Sequence, residues 1–220
     1  MDRYEFSFCG ETLEALSSGA LHWPRLRCLV VSDLHFGKSE RIARRGGAIL
    51  PPYETEDTLM RLEAVIAATQ PQLVISLGDS FDDLTAAQSL DGRARDWLAR
   101  LKAGRRWVWI TGNHDPGPLD MGGEYLAELT LAPLLFRHIA TAEQPGEISG
   151  HFHPKVQISS RAGRVARPCF LVDETRIILP AFGTYTGGLS CTDPVLQGLM
   201  GAKARAILTG ARAIVIPLPR

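Results

Sequence analysis

Four short apolar runs in this chain each end on a polar motif instead of an ordinary turn. Cys28–Val31 leads into Ser32-Asp33-Leu34-His35, and Leu73–Leu77 into Gly78-Asp79. Residues 107–111 lead into Gly112-Asn113-His114-Asp115, and Glu147–Ser149 into Gly150-His151-Phe152-His153. Apolar runs of four or five residues read as buried strands. Polar residues that recur at their carboxyl ends belong in the ligand crevice of an α/β sheet. The spacing therefore predicts a layered fold in which separate loops converge on one place. With His138, which lies alone, the motifs collect five of the six histidines; His22 is read as a loop residue without a partner.

The intervening sequence supplies helices. Residues 55–69 place Leu59, Leu62, Val65 and Ile66 on one face. A second helix is predicted over 85–102, with Leu90, Ala94, Trp97, Leu98 and Leu101 inward, and weaker ones over 123–129 and 195–208. Further strands are expected at 4–8, 156–159, 168–172, 177–179 and 213–216. Strand–helix alternation in the first half and strands in the second favour an α/β or mixed sheet sandwich with helices outside.

Gross composition narrows the function classes. The formal net charge is zero over 220 residues, so any nucleic-acid binding must come from local patches. Cys9, Cys28, Cys169 and Cys191 form no Cys-x-x-Cys pair, which argues against a zinc ribbon or a disulfide framework and for buried thiols in a reducing cytosol. No signal peptide and no membrane span are read, so a cytoplasmic protein without a membrane partner is expected.

The motif residues are two carboxylates, one amide and five histidines, a donor set suited to two divalent metals with one histidine left for chemistry. If Asp33, His35, Asp79, Asn113, His138, His151 and His153 all ligate, two carboxylates face two dications. The excess positive charge suits hydrolysis of an anionic phosphate ester better than metal storage. His114 follows Asn113 directly, so the two side chains project differently; His114 is the candidate proton donor. A proton donor needs an acceptor on its other ring nitrogen, and Asp82 is the first choice, Asp115 the second. Nitrogen and oxygen ligands without thiolate permit manganese, iron or zinc, manganese first. Lys38, Arg41 and Arg45, if helical, share a face beside the first motif and form a candidate phosphate track.

Taken together, Asp33-x-His35, Gly78-Asp79, Gly112-Asn113-His114-Asp115 and Gly150-His151-x-His153 resemble the calcineurin-like metallophosphoesterase superfamily. The resemblance implies two facing mixed β-sheets flanked by helices, in a single domain over residues 1–220. It implies Asp33, His35, Asp79 and His153 on one metal, and Asp79, Asn113, His138 and His151 on the other. It also implies His114 as proton donor, paired with Asp82. A narrower match covers about residues 4–217: Ser32–Lys38, Pro51-Pro52, Gly150-His-Phe-His-Pro154, Pro168-Cys-Phe170, Leu179–Gly183 and Thr186-Gly-Gly188 resemble the DNA-ligase-associated metallophosphoesterases, the PdeM type. That group implies a bacterial phosphodiesterase or endonuclease of DNA repair, with a DNA ligase, a helicase and a nuclease as associates. Relatives of this type carry Phe-His-Ser where this chain has Phe81-Asp82-Asp83, the wider superfamily pattern. Competing readings are a phosphomonoesterase or phosphoprotein phosphatase on the same residues, and a non-catalytic scaffold, which retention of His114 opposes.

Overall fold

A computed structural model describes residues 2–47, 50–141, 144–160 and 163–220. Two mixed β-sheets face each other, with helices on the outside, as the sequence predicts. The first sheet holds β1 (Arg3–Phe8), β2 (Glu11–Leu16), β3 (Leu21–Trp23), β4 (Cys28–Val31), β5 (Leu73–Leu77), β6 (Arg106–Ile110) and β7 (Glu124–Leu126), in that spatial order. Between β4 and β6 the chain forms α1 (Lys38–Arg44), α2 (Glu54–Thr69), α3 (Leu84–Ser89) and α4 (Gly92–Lys102). The second sheet holds β8 (Glu128–Leu131), β9 (Leu134–Arg137), β10 (Glu147–Ser149), β11 (Lys155–Ser160), β12 (Gly163–Val172), β13 (Arg176–Ile178), β14 (Arg205–Leu208) and β15 (Ile214–Pro217). Its order is β15-β14-β12-β13-β10-β9-β8, with β11 off this path and paired to β12, and α5 (Pro194–Leu199) lies near its outer side.

Each sheet has a parallel centre. In the first, β4, β5, β6 and β7 run parallel; in the second, β9, β10 and β13 do. Parallel strands aligned this way bring the loops after their carboxyl ends to one edge, where the polar motifs lie. The interior between the sheets is apolar and includes Phe6, Trp23, Ile75, Val108, Phe136, Phe170 and Ile177. A second apolar cluster joins the outer face of the first sheet to α2 and α4 through Leu59, Leu62, Val74, Leu98, Trp107 and Trp109. Fully burying such a side chain contributes roughly 1.5–3 kcal/mol.

Several expectations are corrected. The predicted helix over 85–102 is two helices, because Leu90 is extended (ψ 125°) and Asp91 starts α4 as an N-cap, accepting from Ala94 N at 2.9 Å. Residues 123–129 are not helical: β7 adds to the first sheet and β8 pairs with β9, so tertiary pairing overrides weak local helix preference. Within 195–208 a helix ends at Leu199 and β14 begins at Arg205. His22 does not lie in a loop; it sits in β3, where Nδ1 is 2.8 Å from Glu14 Oε2 across the strand pair.

Candidate metal centre

The loops after β4 and β5 are zipped together by their main chains. Asp33 N donates to Gly78 O (3.3 Å), His35 N to Asp79 O (2.9 Å), Phe36 N to Ser80 O (3.0 Å) and Asp82 N back to Phe36 O (3.0 Å). This pairing forces side chains from both loops into one space. Asp33, His35, Asp79, His151 and His153 all adopt positive φ, between 47° and 70°. For residues with a side chain the left-handed region costs roughly 1–2 kcal/mol each. Such strain, gathered at one site and held by the surrounding fold, marks functional geometry. Two glycines make the approach feasible: a side chain at Gly112 would collide with the main chain of Asp79, and one at Gly150 with Ser32 and Asp33.

Among the described residues three groups of potential ligands stand close: Asp33/His35/His153, Asp79/His138/His151, and His35/Asp82/His114, which shares His35 with the first. Asp33, His35 and His153 form the first: His153 Nε2 lies 3.1 Å from Asp33 Oδ1, and the His35 and His153 rings meet edge to face at 5.3 Å. Asp33 Oδ1, His35 Nε2 and His153 Nε2 are buried without a hydrogen-bond partner. Unpartnered buried donor atoms are costly, and a shared cation resolves the cost. The other Asp33 oxygen is held by His151 N (3.0 Å) and Ser32 Oγ, which fixes the carboxylate in place. Burial opposes ionisation of Asp33, but the close approach of His153, with the fields of the His138 and His35 rings, wins and lowers its pKa.

Asp79, His138 and His151 form the second cluster, with Asn113 against it. His138 Nε2 stands 3.4 Å from Asp79 Oδ2, 3.0 Å from Asn113 Oδ1 and 3.2 Å from His151 Nδ1. Its other nitrogen, Nδ1, donates to Leu77 O at 2.8 Å, an anchor that turns Nε2 toward the cluster. Burial disfavours the imidazolium, yet Asp79 and Asp33 overcome this and raise His138 to about 9. Reciprocally, burial works against the Asp79 carboxylate, but His138 brings it down to about 2. Burial, followed by the His138 charge, lowers His151. Hard and borderline donors at these separations fit two divalent ions.

His114 projects between the clusters. Its Nε2 is 4.0 Å from Asp79 Oδ2, its ring meets that of His35 edge to face at 5.3 Å, and its main-chain N donates to Asp79 Oδ1 at 2.9 Å. The orienting acceptor differs from the sequence expectation. His114 Nδ1 donates to the main-chain oxygen of Asp82 (2.8 Å), not to its carboxylate. The Asp82 carboxylate is fully buried and serves His35: Oδ1 lies 2.8 Å from His35 Nδ1, a close contact off the ideal hydrogen-bond line. Arg41 (2.9 Å) and Lys38 (3.5 Å) flank the same carboxylate. Burial raises its pKa, but these partners, His35 first, push it well below the usual range. Asp115, the second choice, does not face the His114 ring either; it braces the loops by accepting from Ser80 N (2.7 Å), Phe81 N (3.1 Å) and Gly112 N (3.1 Å).

The candidate phosphate track is divided by the structure. Lys38 and Arg41 lie on α1 beside the site but are committed to Asp82, Arg45 is the cap after the helix's last residue, and Arg44, outside the predicted face, donates to both oxygens of Asp83 at 2.8 and 2.9 Å. Sequence reasoning missed the anchors Leu77 O and Asp82 O, because main-chain carbonyls carry no residue signature. It also missed that Cys169 and Cys191 meet, Sγ to Sγ 3.4 Å, as free buried thiols.

Comparison with known proteins supports the same reading. Residues 26–164 match the family model of the calcineurin-like phosphoesterases. The crystal structure of Pseudomonas putida nuclease MPE superposes with a TM-score of 0.76 at 31% identity, covering 99% of this chain and 100% of that one. Probable inactive purple acid phosphatase 14 of Arabidopsis thaliana is 27% identical over 172 residues, which span 74% of this chain and 41% of that protein. The matched residues include the strand-end motifs and both Asp/His clusters: the chain belongs to the calcineurin-like phosphoesterase family.

Proposed function

We propose that the chain, as a single domain, is a dinuclear metal-dependent phosphodiesterase that cleaves nucleic acid, of the DNA-ligase-associated type and acting in DNA repair. The observation that carries this reading is the pair of Asp/His clusters with His114 projecting between them. Asp33, His35 and His153 would hold one ion and His138, His151 and Asn113 the other, with Asp79 as the ligand they would share. When bound, two divalent ions, manganese first, supply Lewis acidity and lower the pKa of a water nucleophile. The remaining steps belong to side chains. Asp79 fixes the spacing of the two clusters through its hydrogen bond from His114 N and its contact with His138. His114, with Nδ1 committed to Asp82 O, presents Nε2 to the leaving oxygen and delivers its proton there. Support for a nucleic-acid substrate comes from the likeness to a nuclease over the full chain and from the Gly183-Thr-Tyr-Thr-Gly-Gly188 loop of the narrower family pattern.

The test is hydrolysis of bis-p-nitrophenyl phosphate by metal-stripped protein with manganese restored, beside p-nitrophenyl phosphate. Diester turnover should dominate and depend on the metal. His114→Ala should keep two ions per chain and lose about 10²–10⁴-fold in kcat. Dominant monoester turnover overturns the diesterase reading. Loss of bound metal in His114→Ala makes His114 a ligand instead of a proton donor.

A further inference from the structure

The hairpin of β11 and β12 starts two residues after His153 and leaves the second sheet as a two-stranded ribbon. Its charge is one-sided. Residues 148–172 contain Lys155, Arg161, Arg164 and Arg167 and no Asp or Glu, in a chain of zero net charge.

The register sorts the ribbon into two faces. Val156 lies opposite Arg167 and Ile158 opposite Val165; Val156 is buried and Ile158 packs on the apolar cluster outside the second sheet. The alternate pairs are Lys155 with Pro168, Gln157 with Ala166 and Ser159 with Arg164. Side chains alternate along a strand, so this second set faces away from that cluster. Gln157, Ser159, Arg164 and Ala166 are exposed there, and Arg164 forms no ion pair among the described residues.

The near end of the polar face meets the metal centre. Lys155 Nζ donates to Thr186 O at 2.9 Å, in the loop whose Gly188 packs against His153. From Lys155 to Ser159 the strand advances about 13 Å at roughly 3.3 Å per residue. Small, uncharged side chains between the cations leave room for a chain to lie along it.

We infer that the Lys155–Gln157–Ser159–Arg164 face of the ribbon is a docking track for the phosphate backbone of single-stranded DNA, leading the strand to the metal centre. The inference rests on the nucleic-acid reading above and adds the route the strand takes. A single ribbon face one side chain wide suits one strand, and its cations are spaced for phosphates rather than aimed at base edges.

Binding of a fluorescein-labelled single-stranded oligodeoxynucleotide to the manganese-loaded protein, followed by anisotropy in a His114→Ala background to slow cleavage, tests it. Arg164→Glu should weaken binding about tenfold, and Gln157→Glu, an isosteric change at an exposed site, should weaken it in the same direction. Arg164→Gln should make the slope of log K against log salt shallower by about 0.7, the release expected for one phosphate contact on a single strand. A merely structural role would leave that slope unchanged. Unaltered affinity and slope in all three variants, with native circular dichroism, overturn the track. An oligoribonucleotide that loses affinity in the variants while the DNA strand does not overturns the occupant. Wild-type hydrolysis of bis-p-nitrophenyl phosphate separates the two claims: if it fails, the diesterase reading falls, and if it succeeds while the variants bind normally, only the track falls.

Discussion

The two sheets present ligands from the same kind of place, the carboxyl ends of parallel strands, but they are built from different material. In the first sheet β4, β5 and β6 are runs of four or five residues, almost entirely apolar, buried between the second sheet and the helices. In the second, β9, β10 and β13 are three or four residues long and carry charge: Arg137, Glu147 and Arg176. Glu147 is fully buried, accepts from Thr141 N at 3.1 Å, and lies 3.3 Å from Arg137 and 3.8 Å from Arg176. This cluster sits at the opposite end of β10 from His151, so the strand is tied by ions at one end and by site residues at the other. The first sheet is set by burial of apolar surface, the second by a polar tie that has no meaning until the strands are assembled.

The sharpest way to break this comparison is at the ligands. Asp79 comes from the first sheet and is the proposed shared ligand, whereas His151 comes from the second and serves one cluster. Asp79→Ala should abolish loading of both ions, and His151→Ala should lower loading at one, read as metal per chain by elemental analysis. One ion retained by Asp79→Ala would end the shared role.

Next is the polar tie. Glu147→Ala leaves Arg176 buried without its acid and Arg137 with Glu128 alone, and should cost about 3–5 kcal/mol of unfolding free energy by urea titration. A neutral result would mean that the second sheet, like the first, stands on apolar packing. Within the site, Asp82→Asn should weaken binding at the His35 ion about 10–100-fold, measured by metal titration, while the second ion binds as before. Because His114 leans on a main-chain oxygen, the proton donor should stay in place.

The smallest effect concerns a turn of the second sheet. Asp173 accepts from Thr175 N (2.7 Å), Arg176 N (2.8 Å) and Gly201 N (2.8 Å). Burial raises its pKa, but these donors outweigh it and hold the folded value below the ordinary 3.8. The contribution is therefore present above the unfolded pKa and is lost as pH falls through the folded one. Asp173→Asn should lower the urea midpoint at neutral pH and flatten its decline from about pH 5 to about pH 3, so that variant and wild type converge in acid.

The same contrast explains what could be read from the chain. Cys28–Val31 and Leu73–Leu77 are legible because both faces are buried and no periodicity needs decoding. The motifs after them are legible because glycine, aspartate and histidine at strand ends are individually ordinary but jointly constrained. β2 and β3 were missed: Glu11 and Glu14 interrupt the apolar pattern, yet they are matched across the meander by Arg25, Trp23 and His22. Residues 123–129 were misread because β7 exists only through its pairing with β6 and β8 only through its hairpin with β9, and neither pairing leaves a periodicity in the segment itself. The roles of Leu77 O and Asp82 O were not legible, since every residue type has a carbonyl.

That last point bears on how this site is able to change. Asp82 faces two ways, its side chain toward His35 and its peptide oxygen toward His114. The side chain can be exchanged by mutation; the peptide oxygen cannot. Tuning of the metal end is thereby separated from tuning of the proton-donor end, although both pass through one residue. A histidine at this position, as in the Phe-His-Ser pattern of the narrower family, would rewrite the contact with His35 and leave the anchor of His114 where it is.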